Sequence, residues 1–442
     1  MNLLAKITTL LAYIALPLSA IAQQAPMTDS IDLFINQKMQ QRNIPGLQLA
    51  VIRDGKIIKK LSLGSANLEH AIKTTDESIF SVNSITKAFA GIAIMQLAEE
   101  GILKLTDPLS LYLDSLPQTW RNITLTQVLS HTSGLPDILD AEEQVMGHGV
   151  EDQALEQVKK MPMEFNTGDR FGYNQTGYVL LGKIITKLSG MHFTKFIEER
   201  QFNVAGMKLT RFGDSYDVIP NYAGAYTMTR QFGDSFVRNS SPGVAYMQFP
   251  VFFRTAAGIQ STATDMANWI IALNTGKLLK QQSSIETLWT PAKLNNGKIG
   301  GFNKLTNGYA LGWPTVTRDE HPAVAPVGGG RSALFIYPKD KLSIVVLTNL
   351  MGANPDRFID EIAGFYIADM RESNGFGLPA ANAYDSLTEV QEMTRNPKDA
   401  FVHYKKSLAL NPENRNAADR IKALAKRRQN KLYVKRFSLK VN

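Results

Sequence analysis

Two hairpin patterns that lie far apart in the sequence constrain the fold of this chain more than any other feature. The first pairs the β-rich segments 47–52 and 57–63 around an Asp-Gly dipeptide, which favours a tight turn. The second pairs segments 332–337 and 342–348. Because the residues between the two pairs have mostly helical patterns and loops, we predict an α/β fold of the α+β sandwich type. One antiparallel sheet, built from both ends of the chain and flanked by helices, would carry a helical subdomain.

The composition limits the chemistry that the chain can use. Its 442 residues, 44% of them hydrophobic, suffice for a large core and more than one domain. The absence of cysteine excludes disulfides, thiol nucleophiles and thiolate metal sites. The six histidines are scattered and form neither an H-E-x-x-H nor an H-x-H pattern. We therefore predict no metal site and no cofactor.

The first 22 residues have the pattern of a cleavable signal peptide. Lys6 precedes an apolar run over 7–18, and small residues follow at Ala20 and Ala22. This order predicts cleavage after Ala22 and a periplasmic or secreted protein. A retained membrane anchor is the alternative, although the run is short for a span and contains Pro17. No later segment has the length and apolar content of a transmembrane helix, so we expect none after cleavage.

The composition changes again near the C-terminus, where 373–442 is predicted to form a helical extension of the 23–372 domain. Residues 400–414 resemble the second helix and exit turn of a tetratricopeptide repeat, but there is one such unit, and it would pack on the main domain or be a remnant. The formal charge of +8 comes largely from a basic tail over 420–440. We expect this tail to be solvated or to bind an anionic surface, with a cell-wall or protein partner rather than nucleic acid.

The motif Ser84-Ile85-Thr86-Lys87 combines a hydroxyl and an amine one helical turn apart. Residues at this spacing share a helix face, so the Lys87 amine can approach the Ser84 hydroxyl. The following segment, 88–98, is almost wholly apolar, which is typical of a buried helix. Ser84 would then lie at an electropositive helix N-terminus, where a developing anion is favoured. An N-cap serine followed by a surface lysine is the structural alternative.

Several further segments occur in the order found in a known group of enzymes. Together with the Ser-Lys motif they cover about 44–349, and the chain resembles the serine β-lactamase and penicillin-binding-protein superfamily, in particular its class C-like branch. That branch includes class C β-lactamases, D-alanyl-D-alanine carboxypeptidases, D-aminopeptidases and esterases. The matching segments are 80–87, 129–137, 171–182, 206–207, 258–266 and 309–313.

The resemblance implies roles for three residues. Ser84 would form an acyl-enzyme, because a serine is a poor nucleophile until a nearby base activates it. Lys87 and the phenol of Tyr173 would supply that base. A cationic neighbourhood would lower the pKa of Tyr173, which could then relay the proton to the leaving group. The alternative for Tyr173 is a half-buried aromatic residue with a hydrogen-bonded tip.

The chain departs from the pattern of this branch at two positions. Gln175 stands where the tyrosine motif usually ends in asparagine, but its amide can still bind Lys87 and a substrate carbonyl. The third motif, K-T-G or H-x-G, is matched by the sequence 327–331, which puts Val327 in place of the cation or imidazole. Because that cation helps to bind a substrate carboxylate, its loss favours an esterase, amidase or peptidase over a true β-lactamase.

The glycines of this segment have a predicted role in substrate binding. The backbone of Gly329 and Gly330 would approach the substrate, and the N–H groups of Gly330 and Ser84 would form the oxyanion hole. Arg331 lies next to them and would either bind a substrate carboxylate or point away into a salt bridge. The aromatic loop 242–253 would belong to the core or form the wall of an apolar cleft.

These observations predict an exported serine hydrolase that cleaves an ester or amide through an acyl-enzyme on Ser84. Its substrate would be a small molecule, a peptide or an ester, and the activity that of an esterase, a D-aminopeptidase or carboxypeptidase, or a weak β-lactamase. The alternative is a catalytically silent module that binds a cell-wall polymer or a protein through the same cleft and the extension. The physiological substrate and the oligomeric state are left open by the sequence.

Overall fold

The computed structural model describes residues 30–140, 144–232 and 235–373, together with six isolated helical residues between 404 and 425. The predicted signal segment 1–22 lies outside the described residues. So does nearly all of the predicted extension 373–442, including its repeat-like unit and basic tail. The fold therefore concerns the predicted hydrolase domain.

Within the described residues the chain forms eleven α-helices, of which α2 and α5, with 14 residues each, are the longest, followed by α1 and α8. None of them has the length and apolar composition needed to cross a bilayer. The helices are α1 Ser30–Arg42, α2 Thr86–Glu99, α3 Leu125–Leu129, α4 Glu151–Val158, α5 Thr176–Ser189, α6 Phe193–Ile197, α7 Asn203–Ala205, α8 Ala263–Asn274, α9 Gln282–Trp289, α10 Ile359–Ala363 and α11 Ala368–Ser373.

The same ranges contain fifteen strands, several of them only two residues long. They are β1 Gly46–Arg53, β2 Lys56–Asn67, β3 Ile72–Lys73, β4 Phe80–Ser81, β5 Arg211–Phe212, β6 Tyr226–Phe232, β7 Ser235–Val244, β8 Ile259–Ser261, β9 Gly308–Tyr309, β10 Pro314–Val316, β11 Ala323–Val324, β12 Val327–Gly328, β13 Ser332–Tyr337, β14 Leu342–Thr348 and β15 Leu350–Met351.

The main sheet joins the two ends of the domain, as the sequence predicts. Its strand order is β3-β2-β1-β14-β13-β11-β10-β9, with β12 also paired to β13. The pairings are antiparallel, and β1 lies beside β14 with Leu47 opposite Thr348. Both predicted hairpins are present as β1–β2 and β13–β14. The predicted fold class, an antiparallel sheet flanked by helices, is therefore confirmed.

The Asp-Gly turn fixes the register of the first hairpin. Asp54 and Gly55 have φ values of 49° and 72°, the left-handed region that a two-residue type I′ turn requires at both positions. Aspartate tolerates this conformation and glycine adopts it without steric cost. The turn residues thus determine locally which strand residues face each other.

The two faces of the main sheet carry two separate hydrophobic cores, because successive side chains of a strand point to opposite faces. The helical-side core contains Ile52, Val324 and Leu334 and packs against α2, α5 and α8. The terminal-side core contains Val51 and Phe335 and packs against α1 and α10. The helical insert therefore covers one face, while helices near the two ends of the domain cover the other.

Helix α2 is the centre of the helical-side core. All its residues from Thr86 to Leu97 are buried, as predicted for a helix that is apolar all round. The Phe89 ring stacks on Trp269 of α8 with 3.8 Å between ring centroids. Gly91 lets the helix approach the chain at Leu311, whose carbonyl oxygen would lie 2.3 Å from any added Cβ. Close packing on all sides gives the first turn of α2 a fixed position.

Candidate active site

Ser84 lies in a short 3-10 turn, Asn83–Ile85, that leads directly into α2. Asn83 has a left-handed φ of 49°, and its carbonyl accepts a 2.6 Å hydrogen bond from the Thr86 hydroxyl. Ser84 is partly exposed, whereas its two neighbours in the turn are buried. The backbone thus presents the Ser84 side chain at the N-terminus of a buried helix, which is where the sequence predicts it.

Lys87 is fully buried one turn further on. Its Nζ donates hydrogen bonds of 2.7 Å to Gln175 Oε1 and 2.8 Å to the Ala256 carbonyl. The same nitrogen lies 4.8 Å from the centre of the Tyr173 ring and 5.1 Å from that of Tyr178. The alternative of a surface lysine is therefore excluded by the structure.

Burial lowers the pKa of Lys87 to about 7, and the negative charge of Asp137 partly opposes this shift. A neutral amine has two N–H groups, and the Gln175 and Ala256 oxygens accept two hydrogen bonds from it. The lone pair of the neutral amine is then free to accept a proton. The geometry and the pKa both suit a base that works near neutral pH.

Tyr173 lies beside both the nucleophile and the amide of the tyrosine motif. Its pKa is raised by burial, while hydrogen bonding with the side chains of Ser84 and Gln175 acts in the opposite direction and is outweighed. The expected lowering of the Tyr173 pKa by cationic neighbours is therefore wrong, because removing the phenolate from water dominates. Tyr173 stays protonated at neutral pH, and Lys87 is the better candidate for the base.

Asp137, the last residue of the segment 129–137, is a site residue that was not predicted from the sequence. Its Oδ1 accepts hydrogen bonds from the backbone N–H groups of Gln175, at 3.1 Å, and Leu139, at 3.3 Å. Burial raises the pKa of Asp137, and the positive charge of Lys87 lowers it. Gln175 thus connects a carboxylate, through its backbone, with the lysine, through its side chain.

His131 is buried against the site and supports it without being a second base. Its Nδ1 accepts a 3.1 Å hydrogen bond from the Asn174 N–H, and its ring centre lies 4.4 Å from that of Tyr173. Burial, together with the charge of Lys87, holds the pKa of His131 well below its usual value. A neutral imidazole with Nδ1 as acceptor carries its proton on Nε2. The ring therefore braces Tyr173.

The structure gives the register of the strand segment that carries the third motif, which the sequence left open. Val324 pairs with Ile336 and Val327 with Ala333, so the two valines point to opposite faces. Val324 belongs to the helical-side core, whereas Val327 packs on the terminal-side core. The Val327 side chain therefore points away from the nucleophile helix. Val324, Pro326 and Gly328 face the nucleophile helix, and none of these three is cationic.

The glycines that follow are also placed differently from one another. An added Cβ on Gly328 would lie 2.1 Å from the Val82 carbonyl, so the strand meets the nucleophile turn at this residue. Gly329 contacts the Asn83 side chain, and Gly330 faces Asn354. Gly329 and Gly330 have φ values of 54° and 61° and belong to the hairpin turn. The Gly330 N–H was predicted to bind the oxyanion. Gly330 instead belongs to the hairpin turn and packs against Asn354 and Gly352.

Arg331 is enclosed beneath the nucleophile turn, with 2% of its surface exposed. Its Nη2 donates a 3.0 Å hydrogen bond to Asn83 Oδ1 and lies 2.8 Å from Met247 Sδ. Burial lowers the pKa of this guanidinium, and Tyr222 opposes the shift. This position does not support the predicted contact with a substrate carboxylate, because Met247 covers the side chain.

A cleft of about 770 Å³ opens beside the loop that carries Met247. Tyr216 and Tyr246, 69% and 75% exposed, form part of its wall. Ser84, Lys87 and Tyr173 do not line this cleft. The aromatic loop 242–253 belongs in part to the core, since Phe252 and Phe253 are buried in the helical-side core. In the described parts of the chain no three histidine, aspartate or glutamate side chains are grouped as metal ligands.

Comparison with known proteins now gives the family. The Beta-lactamase family model matches residues 31–369. The chain belongs to the Beta-lactamase family. The chain is thus a member of the β-lactamase and penicillin-binding-protein superfamily, as the resemblance predicted.

Individual relatives agree with this assignment. Protein flp of Staphylococcus aureus (strain MRSA252) is 27% identical over 346 residues, covering 75% of this chain but 65% of that protein. A penicillin binding protein from Bacillus halodurans is 26% identical with a TM-score of 0.61, covering 74% of this chain and 98% of that one. D-amino acid amidase from Ochrobactrum anthropi SV3, 19% identical with a TM-score of 0.64, shares the fold over 79% of this chain and all of its own.

Proposed function

We propose that this protein is an exported hydrolase that cleaves an ester or amide bond through an acyl-enzyme on Ser84. The observation that carries the proposal is the buried Lys87, whose two hydrogen-bond acceptors match the two N–H groups of a neutral amine. A serine hydroxyl needs such a base within reach to become a useful nucleophile. The Tyr173 side chain interacts with that of Ser84, and its ring centre lies 4.8 Å from Lys87 Nζ, so its hydroxyl would relay the proton between them.

The acylation step follows from these contacts. The proton of Ser84 passes through the Tyr173 hydroxyl to the lone pair of Lys87 while Ser84 Oγ attacks the substrate carbonyl carbon. The carbonyl π electrons move to the oxygen, and on their return the bond to the leaving group breaks. The leaving group takes the proton back from Lys87 by the same path. In deacylation, water replaces the leaving group and the same transfers release the acid and free Ser84.

The developing oxyanion needs two N–H donors, and the strand register supports a candidate for the second one. The Pro326 carbonyl accepts a hydrogen bond from the Leu334 N–H, so residue 326 faces β13. The N–H of the next residue, Val327, therefore points to the opposite edge of the strand. We propose that this N–H and that of Ser84 bind the oxyanion, in place of the predicted Gly330 donor.

The charges around the site favour a substrate that carries no carboxylate next to the scissile bond. The strand segment presents no cation to the nucleophile helix, because Val324, Pro326 and Gly328 face it, and Arg331 lies against Met247. Two acids lie nearby instead, since the charge of Asp137 helps to raise the pKa of Glu164. A neutral ester, or an amide with a free amino group, suits this environment better than a penicillin. The fold shared with D-amino acid amidase makes a D-amino-acid amide a suitable probe.

Covalent labelling tests the proposal. We expect a fluorophosphonate to modify the protein once, with the adduct on Ser84 by peptide mass spectrometry, and Ser84→Ala to abolish labelling. A folded protein that gives no adduct would contradict the enzyme function and favour a catalytically silent binding module. Turnover of nitrocefin, a short-chain p-nitrophenyl ester and a D-amino-acid amide then separates the substrates. Nitrocefin as the best of the three would contradict the carboxylate argument.

Export and a partner for the extension are separate parts of the proposal. The N-terminal pattern of Lys6, apolar run and small residues supports cleavage after Ala22. Mass spectrometry of the protein recovered from its host should give Gln23 as the first residue, and an intact Met1 would contradict it. The basic tail supports binding to an anionic cell-wall polymer. Sedimentation with isolated cell walls should require residues 374–442, and equal sedimentation of a chain that ends at 373 would contradict this.

A further inference from the structure

Arg331 is a buried cation without an acidic partner. No carboxylate lies within ion-pair distance of its guanidinium in the part of the chain that the structure describes. Its polar contacts are Asn83 Oδ1, Met247 Sδ and the side chain of Tyr222, and its Nε has no hydrogen-bond partner among the described residues. Burial of a charge is costly, and an apolar side chain of similar size would often be at least as stable. Packing alone therefore gives no reason for an arginine here.

The contact with Asn83 explains the presence of the arginine better than stability does. Asn83 is 2% exposed and has a left-handed φ of 49° immediately before Ser84. Its Oδ1 accepts hydrogen bonds from both Arg331 Nη2, at 3.0 Å, and the Ser81 hydroxyl, at 3.1 Å. The φ and ψ angles of Asn83 set the direction of the Ser84 N–H and side chain. Whatever holds the Asn83 side chain therefore also aims the nucleophile.

The backbone around Arg331 is fixed, so the guanidinium can serve as an anchor. The Arg331 carbonyl accepts hydrogen bonds from both the N–H and the hydroxyl of Thr348. The Arg331 N–H donates a 2.9 Å bond to the Gly328 carbonyl, which closes the hairpin turn. On the other side Met247 covers the guanidinium, and its loop is held by hydrogen bonds with Ser215. The planar guanidinium thus connects the main sheet with the loop that carries Met247 and with the nucleophile turn.

We infer that Arg331 is a positioning residue that acts through Asn83: it holds the nucleophile turn in its left-handed conformation and thereby aims Ser84 at the substrate. This role rests on the proposed function of Ser84 as nucleophile. It differs from the substrate-binding role expected from the sequence, since Arg331 reaches the reacting atoms through another side chain. A misplacement of about 1 Å in a nucleophile can cost about 100-fold in rate.

Two variants and a control test the inference. Arg331→Met keeps an unbranched side chain as far as the position of Nε but removes the guanidinium group and its hydrogen bond to Asn83, and Arg331→Lys keeps the charge. We expect Arg331→Met to lower kcat for a p-nitrophenyl ester about 100-fold with KM changed less than about threefold. Arg331→Lys should recover part of the loss. Arg318→Met is the control, because Arg318 pairs with Asp360 on the terminal side and should leave kcat unchanged.

A double-mutant cycle shows whether Arg331 acts through Asn83. Asn83→Gly permits a left-handed φ but has no side chain to bind the guanidinium. If Arg331 acts through Asn83, Arg331→Met should cost about tenfold less in the Asn83→Gly background than in the wild-type background. Equal costs in both backgrounds would overturn the inference, as would wild-type kcat in Arg331→Met.

Hydrogen exchange keeps this test independent of the proposed function. In Arg331→Met, peptides that contain Ser84 should exchange about tenfold faster than in the wild type, while peptides from β1 stay unchanged. Faster exchange in Arg331→Met, combined with a wild type that fluorophosphonate does not label, would refute the proposed function and leave the positioning role standing. Unchanged exchange around Ser84 in a folded Arg331→Met would overturn the positioning role whatever the activity. If Arg331→Met does not fold, kcat and the hydrogen exchange of peptides that contain Ser84 are measured on Arg331→Lys and Asn83→Gly instead. Wild-type values of both in these variants would overturn the positioning role.

Discussion

The two faces of the main sheet treat polar groups in opposite ways. On the helical side, Lys87 and His131 are buried completely in a hydrophobic core, and burial moves the pKa of each downward. On the terminal side, the charged groups form ion pairs at the edge of the core, as with Lys38 and Glu361 or Lys59 and Asp32. The same sheet thus has titratable groups buried within the core on its helical side, whereas the charged groups on its terminal side lie at the edge of the core.

The difference separates stability from activity. Buried titratable groups cost stability, which a protein retains where a shifted pKa serves its chemistry. Buried apolar side chains stabilise the fold and take no part in the reaction. Substitutions on the helical side should therefore change the rate more than the stability, and substitutions on the terminal side should do the reverse.

The largest effect on activity is expected for Lys87→Met, which keeps the volume of the side chain but removes the base. We expect kcat/KM for the best ester substrate to fall about 10⁴-fold, measured by steady-state kinetics. The variant should be as stable as the wild type or more so, because a buried amine is replaced by an apolar group. A Lys87→Met variant that is less stable than the wild type but keeps the wild-type rate per folded molecule would contradict the assignment of activity to the helical side.

The stability of the wild type should also depend on pH through this lysine. Its pKa is about 7 in the folded protein and 10.5 without burial, so between these values the unfolded chain binds more protons. The free energy of unfolding therefore rises with pH over this window. Urea denaturation at several pH values should show a rise in the wild type that is absent from Lys87→Met.

Tyr173→Phe comes next, since it removes one hydroxyl and leaves Lys87 in place. We expect a fall in the labelling rate of Ser84 of about 10²-fold, measured with a fluorophosphonate. Because Tyr173 stays protonated at neutral pH, the limb of the pH–rate profile near pH 7 should persist in the variant. Loss of that limb would assign it to Tyr173 and contradict the role given to Lys87.

A smaller effect is expected for Asp137→Asn. The amide oxygen can still accept the two backbone hydrogen bonds, but the negative charge that raises the pKa of Lys87 is lost. The rise of kcat/KM with pH should therefore move to lower pH. Asp114→Asn is the matched control, because Asp114 is an exposed partner of Lys187, and its profile should not move. A shift to higher pH in Asp137→Asn would contradict the electrostatic argument.

The smallest effect on activity is expected on the terminal side. Phe335 is fully buried there, and Phe335→Ala should lower the free energy of unfolding by about 3–5 kcal/mol. Denaturant unfolding measures this loss, and titration of active sites with a fluorophosphonate gives kcat per folded molecule. We expect that kcat to stay within about twofold of the wild type. A large loss would mean that the terminal-side core also shapes the site.

Much of the fold and part of the site followed from local sequence patterns. The Asp-Gly turn predicted the first hairpin. The two hairpin patterns on either side of a helical insert predicted one sheet built from both ends of the chain, which β1 and β14 join. The apolar segment after Ser84 predicted a buried helix, so the approach of Ser84 and Lys87 was foreseeable. These features depend on turn chemistry and residue spacing, which a sequence displays directly.

Other features depended on contacts between distant segments. The Ala256 carbonyl that binds Lys87 is a backbone atom, and no residue type marks it. The direction in which the pKa of Tyr173 shifts depended on how completely its side chain is buried. The face to which Val327 points depended on the strand register. A shift of one residue turns every side chain of a strand to the other face.

The sequence by itself determined which groups are present for catalysis: a serine and a lysine one turn apart, a tyrosine motif, and a strand segment without a cation. The tertiary structure decided what those groups can do. It buried Lys87, which lowers its pKa to about 7, and it enclosed Arg331 beneath Asn83. The physical reason is that the pKa and the reach of a side chain depend on its neighbours in space, which the folding of distant segments brings together.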